Sequence, residues 1–561
     1  MAAVDTREDV PGTEYLVDVG HHLDVNHAGH GNSDVVLIPQ PSPCAGDPLN
    51  WSRVKKYYQL FLLALYACVF SYGENGLGSA WTTVSKETGV SLTNMNGGSA
   101  LNYLLLGFVN IFWIPAAMKI GRRPIFLATT AICIGASAWQ GSFHGTAQWM
   151  LSCVLGGVGT SAYQAVIQLS IFDMFFVHQR GKALSFYLFG QQLGSILGLI
   201  TGGIIADGPG WRWSQYIVAI INGGVLVLLF LTFEETTFPR FLFYRAETLP
   251  TTVPVAPATA ADDSPLEHDE EDLDAKKGFD AKLKLKQSRT SNTEVGEILP
   301  DFPKRTWRQH LVPWTYHLED KTTYWQYFRR PFFLFAFPNV VISGFIFAFG
   351  CTAGIVSFNT ISEILTEAPY NWSTTSTGLI FLAALVGNFI GWATGLLSDK
   401  IVLACARRNG GVKEPEMRLW TLGLSFVYAG VGYFLYGWGA QRGAHWMAVA
   451  VGVAGMIAHQ VSACGVAMAY AVDCFGGISG ELVTVLAICS SCINFAISYS
   501  VQPLINRVGY GWAFTFFGLC VLVCTGGAGA ALAVWGKVWR RRGRRRYVGF
   551  LEERGRAGAG A

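Results

Sequence analysis

Long apolar runs alternate along this chain with short polar breaks, and each run is about as long as a bilayer is thick. A helix needs about 20 mostly apolar residues to cross a membrane. Such runs fall near 57–80, 97–118, 124–143, 148–171, 182–206 and 214–233. A second set falls near 331–358, 375–397, 418–438, 446–470, 482–505 and 511–536. Between the sets, residues 234–330 are polar, opening Pro/Ala/Thr-rich, turning acidic in DDSPLEHDEEDLD and then basic in AKLKLKQSR. Such a stretch buries too little apolar surface to fold, so most of it is expected to be disordered. Its end, Thr306 to Arg330, mixes aromatics with charges and reads as an interfacial helix. The chain then divides into an N-terminal tail (1–56), a six-helix bundle (57–233), the linker (234–330), a second six-helix bundle (331–536) and a basic tail (537–561). The expected fold class is an all-α polytopic membrane protein with twelve transmembrane helices.

Composition agrees that lipid is the solvent of the apolar part. Hydrophobic residues make up 51% and charged residues only 14%, against roughly a quarter charged in soluble domains. The net charge of +3 is too small to suggest a nucleic-acid partner. The basic run from Lys537 to Arg546 directly follows an apolar run and reads as an anchor near anionic headgroups.

Orientation follows from Lys and Arg in the short loops. With the N-terminus inside, the inner loops carry Lys119, Arg122, Arg123, Arg180, Lys182, Lys400, Arg407, Arg408, Lys413 and Arg418. The outer loops carry Lys86, Arg212, Arg442 and Arg507. Both termini and the linker are therefore expected in the cytoplasm, although the inner loop from Asp473 to Glu481 has no basic residue. Asn371-Trp372-Ser373 is a glycosylation sequon in an outer loop, whereas Asn50-Trp51-Ser52 lies on the inner side and should be inert. Residues 1–50 are polar, and no cleavable leader is expected. Most cysteines lie inside apolar runs. The Cys489/Cys492 pair is not expected to do redox chemistry there, because a thiolate needs a polar setting.

Several strings resemble the major facilitator superfamily, in particular its fungal twelve-span drug:proton antiporter branch. The loop after the second run, PAAMKIGRRP, is similar to the signature G-x-x-x-D-R/K-x-G-R-R, with Lys119, Gly121, Arg122 and Arg123 in place. Met118 stands where the signature has Asp and Ile114 where it has Gly, so this latch is incomplete. The corresponding place in the second half fits better, with Gly395, Asp399 and Lys400, followed by ARRNGGVKEPEMRLW. In the fifth run Gly194, Gly198, Gly202 and Gly203 resemble the antiporter signature G-x-x-x-G-P-x-x-G-G, with Leu199 in the Pro position. Such glycines bare one helix face for close packing. FDMFFVHQRGKAL, Gly210-Trp211-Arg212-Trp213 and Arg330-Pro331-Phe332 add to the likeness, which covers residues 50–535. The resemblance implies the major facilitator fold, two pseudo-symmetric six-helix bundles moving a small molecule by alternating access. In the fourth run Cys153 stands where many proton-coupled relatives carry Arg, four residues before Gly157.

Ionisable groups inside a span are costly and so mark function. Glu74 ends the first run: it either faces the central cavity, where an apolar wall would favour its protonated form, or sits solvated at the outer boundary. His459 and Gln460 lie mid-way along the tenth run, and the imidazole either relays protons or reads substrate, or ties two helices together. Gln164, Gln168, Gln191 and Gln192 place amides in the first bundle, and neighbouring Gln191 and Gln192 should not both face one cavity. Asp173 and Asp473 end the fourth and tenth runs at matching places, as expected of a repeat, with a gate- or loop-pairing role.

The leading function is proton-linked efflux of a small organic molecule such as a drug, toxin or secondary metabolite. The alternative is proton-linked import of a small cationic or polar nutrient. A membrane enzyme would need a constellation such as HExxH or GxSxG, and an ATP-driven pump a GxxxxGK[ST] loop. The chain has none of these. No metal or cofactor is expected. The expected partners are the substrate, protons and lipid, for a monomer in the plasma membrane, with a vacuolar or vesicular membrane as the alternative.

Overall fold

The computed structural model describes residues 10–15, 37, 39, 41–42, 44–238, 312, 314, 323–476 and 478–559. Twelve spanning helices are numbered α1 to α12. The first bundle holds α1 (Arg53–Asn75), α2 (Leu92–Phe108 continued by Asn110–Ile120), α3 (Arg123–Ser142), α4 (Gly145–Met174), α5 (Val177–Asp207) and α6 (Trp211–Thr232). The second holds α7 (Pro338–Thr366), α8 (Thr374–Leu379 continued by Leu382–Arg408), α9 (Leu422–Gln441) and α10 (Trp446–Cys474). The helix Ser479–Leu522 is broken at Gly509, where φ 78° and ψ 170° leave the helical region. Its two parts are α11 and α12, and α12 runs on through a π turn at Val523–Ala528 into Gly529–Ala559. Among the described residues eleven helical stretches are long and apolar enough to cross a membrane, and the Gly509 break makes twelve of them.

The packing repeats with an offset of six helices. Within the first bundle α1 lies along α5, α2 along α4, and α3 along both α4 and α6; α7–α11, α8–α10, α9–α10 and α9–α12 repeat these pairings. Two seams join the bundles, α2 against α11 and α5 against α8, and these also map onto each other. Helices α4, α7 and α10 are the most enclosed, each with 72% of its apolar window buried, while α6 has 28%. The polar residues of α4, α7 and α10 therefore face protein, where a site can be built.

Local chemistry sets the helix ends. Ser52 caps α1, accepting from the Lys55 amide at 3.3 Å. Pro338 opens α7 at a position where a missing N–H costs nothing. That start corrects the span expected over 331–358: Arg330 and Pro331 belong to a separate helix, Tyr324–Leu334, and α7 continues to Thr366. This short helix has a Thr323/Gln326 capping box and exposes Trp325, Phe332 and Phe333. The rest of the expected interfacial helix, and nearly all of the linker expected to be disordered, lie outside the described residues. The basic tail is helical to Ala559, an unbroken extension of α12.

A strap from the N-terminal tail crosses to the second bundle. Strand β1 (Glu14–Tyr15) pairs antiparallel with β2 (Val412–Lys413), between α8 and α9. Arg540 on α12, fully buried, donates to the Pro11 carbonyl and binds the Glu416 carboxylate at 2.6 Å. Gly12 adopts φ 79° against the backbone of Asp473 and Cys474, where any Cβ would collide.

Candidate functional site

Two cavities of similar size lie in the membrane-spanning part. The central one is bounded by Gln164 of α4, by Tyr187, Leu188, Gln191 and Gln192 of α5, by Phe347 and Cys351 of α7, and by Gln460, Val461 and Cys464 of α10. It thus lies between the bundles, with amides, thiols and the Tyr187 phenol as its polar groups. The other lies inside the first bundle, walled by Glu74, Asn102, Ser137, Gln140, Thr160 and Asn222 among others.

Three of the six expected pathway residues, Gln164, Gln191 and Gln460, line the central cavity. Gln192 lines it as well, against the expectation that only one of the adjacent pair would, because Tyr187, Leu188, Gln191 and Gln192 together present a broad arc of α5 to the cavity. Gln168 turns inward, donating to the Gln164 carbonyl at 2.6 Å. His459 is fully buried between α10 and α9, its Nδ1 2.9 Å from Ser425 Oγ, so it ties two helices of one bundle and lines neither cavity.

Glu74 takes neither of its two expected positions. It faces the cavity inside the first bundle, accepting from the Tyr163 hydroxyl at 2.9 Å. With the Asn102 amide turned to satisfy both its ends, Asn102 Nδ2 donates to Glu74 at 3.0 Å and its oxygen accepts from the Gly157 amide. Asn222 lines the same cavity with its Oδ1 unbonded among the described residues. Cys153, where the resemblance implies Arg in many proton-coupled relatives, is buried among Trp81, Met95 and Trp149.

Two carboxylates were missed because they fall just outside the apolar runs. Glu363 sits near the end of α7 and accepts from Gln502 of α11 at 2.8 Å. Glu481 is buried in the first turn of α11, with neither oxygen hydrogen-bonded among the described residues. A helix extending past its apolar core is the only sequence signal for either.

At the face where α4 and α10 end, the two matching aspartates find matching partners. Asp173 pairs with Arg122, and Asp473 with Lys413 at 2.9 Å and Arg418 at 3.3 Å. Asp399 pairs with Arg418 at 2.8 Å, so the base it meets comes from its own bundle. Across the seam its carboxylate lies against Gly181 of α5, and Ser185 of α5 lies against Gly395 of α8. The incomplete latch of the first bundle is completed from elsewhere. Glu235, just after α6, accepts from the Arg122 and Arg123 amides at 3.0 and 3.1 Å and occupies the space a side chain at Gly121 would need. Lys55 pairs with Glu234 at 2.6 Å, so the residues following α6 belong to the bundle rather than to the linker expected from 234. Lys119 is partly buried and Lys400 exposed. At the opposite face Asp207 accepts from the Thr375 amide at 2.8 Å, so α5 touches α8 at both of its ends.

The family model described as the Major Facilitator Superfamily matches residues 63–480. The chain belongs to that superfamily. Similar facilitators include an uncharacterised MFS-type transporter of Schizosaccharomyces pombe, 27% identical, the match covering 98% of this chain and 96% of the relative. Protein HOL1 of Saccharomyces cerevisiae is 28% identical, with 83% of each chain covered. The efflux pump vrtL of Penicillium aethiopicum is 24% identical over 87% of this chain and 86% of its own. Among solved structures, the proton:xylose symporter XylE superimposes with a TM-score of 0.54 at 14% identity, covering 86% of this chain and 96% of that one. That likeness shows the fold. The protein is thus a multi-pass facilitator with the twelve-helix fold expected from its hydropathy, and it resembles fungal efflux-type members.

Proposed function

We propose that this facilitator exports a small, uncharged, hydrogen-bonding organic molecule from the cytoplasm across the plasma membrane, in exchange for protons.

 The observation that carries this reading is the separation of the two cavities. None of the residues lining the central cavity is a carboxylate or a basic side chain, so its amides suit a neutral cargo better than a cation. The carboxylate of Glu74 lies apart from it, in the cavity inside the first bundle, where a proton can be taken up and released without contact with the cargo. The paired cytoplasmic networks around Asp173 and Asp473 serve in this reading as the inner gate, and the α5–α8 contacts as the seams that part during alternating access.

Coupling is tested at Glu74. A cargo is first identified by comparing metabolites in cells and medium with and without the protein. Glu74→Gln should then abolish export against a gradient, while counterflow exchange of the same cargo survives, since exchange needs the alternating motion but no protonation cycle. Concentrative export that persists in Glu74→Gln, or that ignores a protonophore, would sink the proton-linked reading.

The orientation proposed, with both termini in the cytoplasm, places exposed Asn371 outside, in the turn between α7 and α8. An endoglycosidase should increase the gel mobility of the wild-type protein expressed in a fungal host and leave Asn371→Gln unchanged. A shift that survives in Asn371→Gln and disappears in Asn50→Gln would invert the topology.

A further inference from the structure

Cys351 of α7 and Cys464 of α10 are separated by 113 residues, yet their sulfurs lie 3.6 Å apart in the wall of the central cavity. The approach is built into the helix faces. Gly350 leaves the space beside Cys351 open, and a Cβ there would come within 2.8 Å of the Cys464 sulfur. Cys464 also lies 3.5 Å from the Phe347 carbonyl, one helical turn back on α7. Both cysteines are free thiols. The chemistry assigned to the cavity above uses its amides and leaves this pair without a role.

Two thiols from different helices, facing one space, form a site for soft ligands that make two bonds to sulfur. We propose that Cys351 and Cys464 are a dithiol site for thiophilic compounds, trivalent arsenicals being the probe class, and that a bound ligand bridges α7 to α10 and blocks the central cavity. With phenylarsine oxide the step balances without an oxidant. Two S–H bonds and the arsenic–oxygen bonding are exchanged for two As–S bonds, both thiol hydrogens leave with the oxygen as water, and arsenic stays trivalent. The blocking half of the proposal rests on the reading of the central cavity as the cargo site. The binding half does not.

The test uses the reduced full-length protein in detergent, treated with phenylarsine oxide and weighed intact by mass spectrometry. Other dithiols on the chain, such as Cys489 with Cys492, can add arsenicals of their own, so the informative quantity is a difference. Cys351→Ser and Cys464→Ser should each carry one phenylarsine fewer than wild type, the double variant should lose no more than either single one, and a competing dithiol should remove the adduct. Equal adduct numbers in wild type and both single variants, with all three proteins eluting as folded species, would overturn the site. Treatment should stop export of the identified cargo in wild type and leave each variant at its own untreated rate, whatever that rate is. Loss of the adduct in the variants without any block of wild-type export would leave the site standing and overturn its place on the cargo path.

Discussion

Arg418→Ala should lower the stability of the folded transporter by about 3–5 kcal/mol, the usual cost of removing one partner from a buried ion network. Arg418 is only 5% exposed, and its guanidinium holds Asp399 and Asp473 together, at 2.8 and 3.3 Å. Its loss leaves Asp473 with Lys413 alone and takes from Asp399 the cation it is paired with. Arg418→Lys should fall between wild type and Arg418→Ala, because a single ammonium cannot present the fork that reaches both carboxylates. Asp473→Asn should cost more than Asp399→Asn, since the Asp473 side chain is 7% exposed and that of Asp399 20%. Heating the purified protein and following the monodisperse fraction by size-exclusion chromatography gives the order directly. A midpoint for Arg418→Ala equal to wild type would mean that the network contributes nothing to the fold.

Gly198→Leu should abolish transport and deplete folded protein. On α5, Gly194, Gly198 and Gly202 recur every four residues, and they meet the carbonyls of Cys68, Tyr72 and Gly76, which recur every four residues on α1. A Cβ on Gly198 would lie 2.5 Å from the Tyr72 oxygen, and that obstacle is backbone, which cannot rotate aside. The two helices would have to separate along their whole contact, losing packing that in a membrane replaces the hydrophobic drive between helices. Gly223→Leu on α6 is the control, because nothing lies within 4 Å of a Cβ there. Equal yields of folded protein from the two variants would show that the close approach of α1 and α5 is not required.

The number of spans, the division into halves and the glycine face of α5 could all be read from the chain. Each rests on a local property: in lipid every backbone polar group must be satisfied within its own segment, so length and hydropathy announce a helix without reference to its neighbours. The same locality explains the failures. The seventh span was misplaced because apolar content continues across Phe335–Phe337 between two helices, and only the break itself separates them. Glu363 and Glu481 were missed because a helix carries on past its apolar window.

Facing and partnership were decided by tertiary structure. A residue's direction depends on the rotation of its helix, at 3.6 residues per turn, and small rotations choose between cavities. So Glu74 turns to Tyr163 and Asn102 inside one bundle, and His459 to Ser425, while Gln164 and Gln460 line one central cavity from different bundles. Partners distant in sequence were equally hidden: Glu235 completes the latch whose own Asp is missing, and Cys351 meets Cys464. Hydropathy is a sum over neighbours along the chain and carries no information about such pairs. They exist because the packed helices bring those side chains together.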